Sequence, residues 1–337
     1  MLGAKGQKIE AALARLNSHE SECRLCPRDC GVNRAKGERG YCLAGVKAAV
    51  SHALLHYGEE PVLSGRPDCT SGEPGKCRLG AGSGTIFFTG CSLKCSFCQN
   101  YQLSWLGHGK ETSPEELAAM MLRLQDQGAL NINLVSPTHL ILPVLRALRI
   151  AYGHGLALPL VANSSGYEKA EVIALLDGIV DIYLPDLKYF SPGVAGKLSG
   201  ASDYFAQASE AVKEMAFQRP QLVFNKQETA EQGLIVRHLV LPGQTADSIA
   251  ILEWLARELG PGVSLSLMSQ YHPCFQAPEE LRRLLRPEEY REVLARAEEL
   301  EFEYMFVQPE GFSADDHLFP DFKLDEPFRW GGGRRGG

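Results

Sequence analysis

The sequence lacks a long uninterrupted apolar run, so it offers no candidate transmembrane helix. The longest apolar stretch, Leu140 to Ala162, is interrupted by three basic side chains and a proline: Arg146, Arg149, His154 and Pro159. The stretch from Met1 to Arg15 mixes charged side chains with alanine and leucine, and it lacks the apolar middle of a signal peptide. We therefore expect a cytoplasmic protein with no membrane partner.

An excess of positive charge is also missing. Lysine and arginine number 34 against 41 aspartates and glutamates, which gives a formal net charge of −7. Such a chain has no overall attraction to nucleic acid, so we expect no nucleic-acid partner. Its 337 residues, 45% hydrophobic and 22% charged, are typical of a globular domain with appendages.

Cysteine is present in unusual number. The ten cysteines are clustered, and residues 99 to 273 contain none. In a cytosolic protein such clusters indicate metal sites or redox chemistry rather than disulfides. The groups are Cys23, Cys26, Cys30 and Cys42; then Cys69 and Cys77; then Cys91, Cys95 and Cys98; and finally Cys274 alone. Neither the pair at 69 and 77 nor Cys274 can be given a role from the sequence.

Strand-like and helix-like segments alternate along most of the chain. Strands are predicted at six short apolar segments, 85–89, 131–135, 160–162, 180–184, 234–241 and 263–267. Helices are predicted between them, and Ser113 with Glu116 forms a capping box that opens one of these helices. The alternation predicts an α/β fold of parallel βαβ units, and both a doubly wound sheet and a barrel satisfy it. Polar motifs follow the strands, where both folds place active sites.

Composition divides the chain into four parts. Residues 1–63 are predicted to form a helix and a Cys-rich metal-binding module, and residues 64–83 a loop rich in glycine and proline. Residues 84–310 carry the alternation of strands and helices. Residues 311–337 form a tail whose last residues, Gly-Gly-Gly-Arg-Arg-Gly-Gly, are expected to be disordered.

The triplet Cys91, Cys95 and Cys98 lies directly after the first predicted strand. Its spacing lets one short loop bind three corners of a [4Fe–4S] cluster. Three thiolates leave one iron open, whereas zinc would need a fourth ligand that the triplet lacks. An open iron can chelate the amino and carboxylate groups of S-adenosylmethionine (SAM). The reduced cluster can then break the S–C5′ bond, which yields methionine and a 5′-deoxyadenosyl radical that abstracts hydrogen.

The Cys-x3-Cys-x2-Cys pattern, with the aromatic Phe97 before its last cysteine, resembles the radical SAM superfamily. Within it the chain is most similar to the activating enzymes of pyruvate formate-lyase, in a related branch with an N-terminal four-cysteine module. The shared segments are Gly82 to Phe88, Cys98 to Tyr101 and Cys23 to Arg34. The resemblance implies a partial (β/α)6 barrel, [4Fe–4S] and SAM as cofactors, a flavodoxin- or ferredoxin-type electron donor, and a glycyl radical enzyme as partner.

The same resemblance assigns SAM-binding groups to the strand ends. Ser136 and Thr138 stand where many family members have Gly-Gly-Glu, and their oxygens can accept hydrogen bonds from the SAM ammonium. The other implied groups are Phe97 in the cluster loop, Asn163 and Ser165 toward the ribose, Asp186 and Lys188 as a charged pair, Arg237 toward the SAM carboxylate, and His272 toward the ribose. For the polar groups, an ordinary turn, a capped loop or a surface ion pair is the alternative. His139 has a site role or simply begins the next helix.

The N-terminal set Cys23, Cys26, Cys30 and Cys42 is a second candidate metal site. Four thiolates can close a tetrahedral zinc site or hold a second [4Fe–4S] cluster, and the arginines beside them favour thiolates. Zinc would stabilise a segment that has no hydrophobic core of its own, whereas a cluster would relay electrons to the SAM cluster. Free thiols remain the third possibility.

Two radical SAM functions are compatible with these residues. The first is activation of a glycyl radical enzyme, in which hydrogen is taken from a backbone glycine of the partner. The second is modification of another peptide or a small molecule, which the missing Gly-Gly-Glu segment and the additional cysteines favour. An iron–sulfur electron carrier is a distant third, because a carrier needs no SAM-binding residues. We prefer the activase-like function.

Overall fold

The computed structural model describes residues 3–66, 80–311 and 320–328. Cys69 and Cys77 lie outside these ranges, as do most of the loop predicted at 64–83 and most of the tail predicted at 311–337. Within them, ten strands form one sheet. The strands are β1 (Ala48–His56), β2 (Ser83–Phe88), β3 (Lys110–Thr112), β4 (Ile132–Val135), β5 (Leu160–Ser164), β6 (Ile182–Pro185), β7 (Val223–Phe224), β8 (Ala230–Leu239), β9 (Ser264–Met268) and β10 (Met305–Val307).

Most of the helices lie between these strands. They are α1 (Ala4–Leu16), α2 (Pro61–Ser64), α3 (Tyr101–Ser104), α4 (Pro114–Asp126), α5 (Ile141–Gly153), α6 (Ala170–Ala174), α7 (Pro192–Ser199), α8 (Tyr204–Gln218), α9 (Thr245–Leu259) and α10 (Pro287–Glu299). Short 3-10 helices span Asn17–Glu20, Arg34–Lys36, Thr138–Leu140 and Glu279–Leu281. Across the described ranges, no helix combines the length and the apolar character that a bilayer crossing requires.

The sheet order is β10-β9-β8-β6-β5-β4-β2-β1-β3, with β7 paired to β8. From β2 to β9 the parallel strands are neighbours in chain order. A doubly wound sheet reverses its strand order at a switch point, and this order contains no reversal. The predicted α/β class is therefore confirmed, in its partial-barrel form. All six predicted strands occur, and their carboxyl ends lie at one edge of the sheet.

Burial on both faces explains why these strands are apolar. β2, β5, β6 and β9 are buried along their whole lengths. The predicted N-terminal helix is confirmed as α1, whose Ile9, Leu13 and Leu16 are buried in the main core. The predicted capping box of α4 is also confirmed. The Ser113 hydroxyl accepts from the Glu116 amide at 3.2 Å, and the Glu116 carboxylate accepts from the Ser113 amide at 2.7 Å.

The segment after β1 fills the concave side of the sheet. β1 is antiparallel to β2, with His56 opposite Ser83, so the chain leaves β1 at the amino end of β2. Val62 and Leu63 of α2 then pack against strand residues Val161, Ile182, Leu184 and Ile235. Side chains two positions apart on a strand share a face. This apolar plug therefore lies on the face that also carries Asn163, Asp186 and Arg237.

Residues 320–328 cover the same side of the sheet beside β1 and β2. The Phe322 ring lies 5.3 Å from the Phe87 ring, and the Phe322 amide donates to the Gln102 side chain at 2.7 Å. The Phe328 ring lies 4.6 Å from the His56 ring. These ring distances are typical of aromatic pairs that stabilise a core. A segment distant in sequence therefore packs beside the strand that precedes the cysteine triplet.

Leu63→Ala tests the plug. Leu63 is fully buried, and truncation of a fully buried leucine lowers the free energy of unfolding by about 2–5 kcal/mol. Leu106→Ala is the control, because Leu106 is 53% exposed, and we expect a change below about 0.5 kcal/mol. Urea unfolding followed by circular dichroism measures both. Equal effects of the two substitutions would contradict the packing of α2 inside the sheet.

Candidate active site

One cavity of about 270 Å³ opens at the carboxyl ends of the parallel strands. The three loop cysteines and nearly all of the SAM-binding residues predicted from the sequence line it. These are Cys91, Cys95, Phe97, Cys98, Ser136, Asn163, Ser165, Asp186, Lys188, Arg237 and His272. Cavities at this edge are where α/β folds bind ligands. The cavity brings together residues from six different strands or the loops that follow them.

The cysteine loop begins with a close backbone contact. Gly90 has φ +80°, and a Cβ atom at this position would lie 2.2 Å from the Cys42 carbonyl oxygen. Only glycine satisfies both conditions without a shift of the backbone. The turn at Gly90 places Cys91 at the cavity and joins the cysteine loop to the N-terminal module.

Hydrogen-bond donors surround the loop sulfurs. The Cys91 Sγ accepts from the Leu93 amide at 3.3 Å and from the Lys94 amide at 3.5 Å. The Cys98 Sγ accepts from the Ser104 hydroxyl at 3.3 Å. Donors to sulfur favour thiolate and tune a metal that the thiolate binds. This arrangement fits the donor set that a cluster requires.

Burial favours the neutral form of two of the loop thiols, Cys91 and Cys98. Burial raises the pKa of Cys91 above its ordinary value, and it raises the pKa of Cys98 to about 12. Buried thiols of this kind become thiolates when a metal replaces the proton. Three sulfurs at one cavity, with hydrogen bonds to two of them, therefore fit a [4Fe–4S] cluster that leaves one iron open.

A charged pair lines the same cavity as the cysteine loop. The Lys188 ammonium donates to the Asp186 carboxylate at 2.6 Å. Burial acts to lower the pKa of Lys188, but the negative charge of Asp186 and its hydrogen bond act to raise it, and the pKa lies above its usual value. Lys188 therefore stays a cation. The pair supplies one positive and one negative group to a ligand in the cavity.

Tyr204 holds the loops that carry this pair. Its hydroxyl lies 2.8 Å from the Ser165 carbonyl oxygen and 2.9 Å from the Asp186 carbonyl oxygen, and it accepts from the Lys188 amide at 2.9 Å. The sequence analysis missed this residue, because a tyrosine inside a predicted helix carries no local signal of contacts with two distant loops.

The two predicted SAM-binding residues after β4, Ser136 and Thr138, line different cavities. Ser136 lines the cavity and has φ +58°, a conformation that favours glycine. Ser136 therefore adopts a backbone conformation that is strained for a residue with a side chain. Thr138 does not line this cavity and instead lines a separate small apolar one. The contact predicted between Thr138 and SAM thus has no support from its position.

The structure separates the two candidate histidines, His139 and His272. His139 is buried, and its Nε2 lies 2.9 Å from the Thr89 carbonyl oxygen. Burial lowers the pKa of His139 to about 4, so it is neutral and supports the turn before the cysteine loop. His272 lines the cavity at the end of β9. Of the two, only His272 lines this cavity.

Arg237 has partners that the sequence analysis missed. Its Nε and Nη2 donate to the two carboxylate oxygens of Glu60 at 2.8 Å each, and Nη2 also donates to Glu59. The Glu59 carboxylate in addition accepts from Asn133 at 3.0 Å. The bidentate edge of Arg237, expected to face the SAM carboxylate, is therefore occupied by Glu60 in this structure. These glutamates follow β1 in a segment without periodicity, so no pattern indicated them.

Comparison with known proteins agrees with this site. The family model described as "Radical SAM superfamily" matches residues 85–255, and the chain belongs to that superfamily. An uncharacterized protein of Methanocaldococcus jannaschii is 30% identical over 296 residues, which cover 84% of this chain and 76% of that protein. Membership implies SAM and a [4Fe–4S] cluster as cofactors, as the sequence analysis expected.

Two solved structures are similar at low identity. The structure described as native anSMEcpe with bound AdoMet has 13% identity, a TM-score of 0.45 and coverage of 63% of this chain. Streptococcus suis SuiB bound to its precursor peptide SuiA has 15% identity, a TM-score of 0.40 and coverage of 68% of this chain. The chain spans 57% and 47% of the lengths of these two structures.

Arg237→Met tests the buried charges. Removal of the guanidinium leaves two carboxylates, Glu59 and Glu60, buried without their cation, and loss of one partner of a buried ion pair costs about 3–5 kcal/mol. Arg296→Met is the matched control, because Arg296 contacts Glu253 and Glu299 at the surface and should cost below about 1 kcal/mol. Urea unfolding measures both. A cost for Arg237→Met no larger than that of the control would contradict the arrangement.

Glu59 should make the stability depend on pH. Burial alone would raise the pKa of Glu59, but Arg237 and His56 outweigh burial and hold it well below its usual range. Because the pKa of Glu59 is lower in the folded chain than in the unfolded chain, Glu59 stabilises the fold at pH values above its unfolded pKa of about 4.3. This stabilisation is lost as the pH falls from that value toward the folded pKa. The stability difference between wild type and Glu59→Gln should therefore shrink from pH 7 to pH 3. Glu231→Gln, at an exposed position of β8, should show no such change; a constant difference for Glu59→Gln would contradict the shift.

Proposed function

We propose that this protein cleaves SAM reductively and uses the resulting radical to abstract hydrogen from a backbone glycine of a partner enzyme. The observation that supports it is that the three loop thiols line the same cavity as Asp186 and Lys188. When bound, the cluster and SAM supply an electron and a 5′-deoxyadenosyl radical. An electron carrier would need no such charged pair beside its cysteines.

The residues of the chain divide the work of binding SAM. Lys188 suits the methionine carboxylate, because a buried ammonium and a carboxylate form a charge-assisted hydrogen bond. Asp186 orients Lys188 and can accept from a ribose hydroxyl, and Asn163 and Ser165 lie on the same cavity wall. The strained backbone of Ser136 presents its polar groups near the strand end. Phe97 and Tyr271, with ring centroids 5.7 Å apart, support the loop beside the thiols.

Water exclusion is the remaining task of the chain. A 5′-deoxyadenosyl radical must meet its target before it reacts elsewhere, so the site needs a covered cavity. Leu239, Met268, Pro320 and Phe328 supply apolar surface to the wall. The activase-like target is supported by the segments that resemble the pyruvate formate-lyase activating enzymes, which form β2, the cysteine loop and the N-terminal module.

Deuterium transfer tests the proposed target. The probe is a synthetic peptide with an Arg-Val-x-Gly loop whose glycine carries deuterium on its α-carbon. Under anaerobic conditions with dithionite, the reconstituted enzyme should form 5′-deoxyadenosine that contains deuterium, measured by mass spectrometry. Cys95→Ala should abolish 5′-deoxyadenosine formation, because one corner of the cluster loses its ligand. Cys274→Ala is the control and should keep this activity.

The outcomes separate the alternatives. Unlabelled 5′-deoxyadenosine from wild type would contradict the glycine target and favour another peptide or a small molecule. Retained SAM cleavage in Cys95→Ala would contradict the assignment of the cysteine loop itself.

A further inference from the structure

Arg34 is a buried cation in the N-terminal module, and it has no carboxylate partner among residues 3–66, 80–311 and 320–328. Its side chain is almost inaccessible, at 3% exposure. Nη1 donates to the His139 carbonyl at 2.7 Å, Nη2 lies 3.6 Å from the Cys42 Sγ, and Nε has no hydrogen-bond partner in the described part of the chain. None of the ion pairs found among the described residues includes Arg34. A guanidinium that is buried without an anion is strongly destabilising.

The sulfurs beside Arg34 can supply the missing negative charge. Cys23, Cys26 and Cys42 are buried and Cys30 is half-buried. The segment folds back on itself, since the Gly31 amide donates to the Cys23 carbonyl at 2.9 Å. Neutral thiols at these positions would leave Arg34 without a counter-charge, whereas thiolates bound to a metal centre would supply one.

We propose that Cys23, Cys26, Cys30 and Cys42 hold a second [4Fe–4S] cluster, and that Arg34 is its buried counter-charge. Four thiolates on a cubane leave a net negative charge that a guanidinium offsets. The unpaired Nε of Arg34 is then a donor to the cluster or its ligands. This is the arrangement by which proteins stabilise and tune iron–sulfur centres.

Zinc and a cluster place different demands on the sulfurs that hold them. A zinc ion draws its four sulfurs to about 3.8 Å from one another, because each Zn–S bond is about 2.3 Å long. Among the described residues, no three histidine, cysteine, aspartate or glutamate side chains are gathered closely enough for a single metal ion. Each thiolate of a cubane binds a different iron, so wide spacing is what a cluster requires.

The module also touches the SAM-cluster loop directly. Arg28 Nε donates to the Ser92 carbonyl at 2.8 Å, and the Tyr41 hydroxyl donates to the Leu93 carbonyl at 3.3 Å. The Cys42 carbonyl meets the backbone of Gly90. A second cluster here would stand beside the first.

This proximity gives the second cluster the task of an electron relay, a role that rests on the proposed function. A one-electron donor protein, or dithionite in vitro, is oxidised and reduces the second cluster. The same electron then passes to the SAM cluster, which it reduces by one unit, and the second cluster returns to its oxidised state. No proton or atom is transferred in either step.

Iron counting tests the site, independently of SAM cleavage. After anaerobic reconstitution, wild type should hold about eight irons per chain and the Cys91/Cys95/Cys98 triple alanine variant about four. Dithionite should then give the triple variant the electron paramagnetic resonance signal of a reduced [4Fe–4S] cluster. Cys26→Ala together with Cys30→Ala in the triple variant should lose this signal, because two thiolates no longer hold a cubane, while Cys274→Ala in the same background should keep it. If the triple variant instead binds one zinc, or holds no metal, the proposal is wrong.

Arg34→Met tests the counter-charge in the same triple variant. A positive charge favours the more negative, reduced state of a cluster. Its removal should therefore lower the midpoint potential of the second cluster, and Arg34→Lys should restore most of the shift. An unchanged potential at full iron content would contradict the role of Arg34. A full iron count without 5′-deoxyadenosine from wild type would overturn the proposed function and leave the second cluster standing.

Discussion

Backbone meets backbone at Gly90, and the rest of the site depends on this contact. The Cys42 carbonyl occupies the space that a side chain at Gly90 would take. The close approach fixes where the loop leaves β2 and where the N-terminal module sits against it. Arg28 and Tyr41 then bind carbonyls of the same loop, so its conformation is held from outside. The cavity side is left for the sulfurs.

Apolar side chains and ion pairs occupy successive layers on the inner face of the sheet. The plug formed by Val62 and Leu63 closes the amino ends of the strands. Arg237 with its two glutamates lies above the plug, and the Asp186–Lys188 pair stands at the strand ends. Each layer removes water from the next, which strengthens the electrostatic interactions there. A ligand in the cavity therefore meets fixed charges with little competing solvent.

The sequence alone predicted the features that are local or periodic. The six parallel strands, the N-terminal helix and the capping box at Ser113 follow from burial and helical spacing. β1 was missed because its residues show little alternation, and β1 pairs with a strand that lies far along the chain. The partners of Arg237 were missed for the same reason. Glu59 and Glu60 reach it only because β1 runs antiparallel to β2.

Ser136 and Thr138 stand in the segment that departs from the Gly-Gly-Glu pattern of the family, and the structure places the two residues differently. Ser136 has a left-handed backbone and lines the main cavity. Thr138, only two positions later, lies in a separate apolar cavity. Spacing along the chain does not show this, because a 3-10 helix turns the next side chains away from the cavity.

The contribution of Phe328 and Pro320 to the cavity wall has a consequence for biosynthesis. The ribosome makes the three loop cysteines long before it makes residues 320–328. The nascent chain can thus present a complete set of loop thiols while one side of the cavity is still open. Among the described residues that line the cavity, Pro320 and Phe328 are therefore the last to be made.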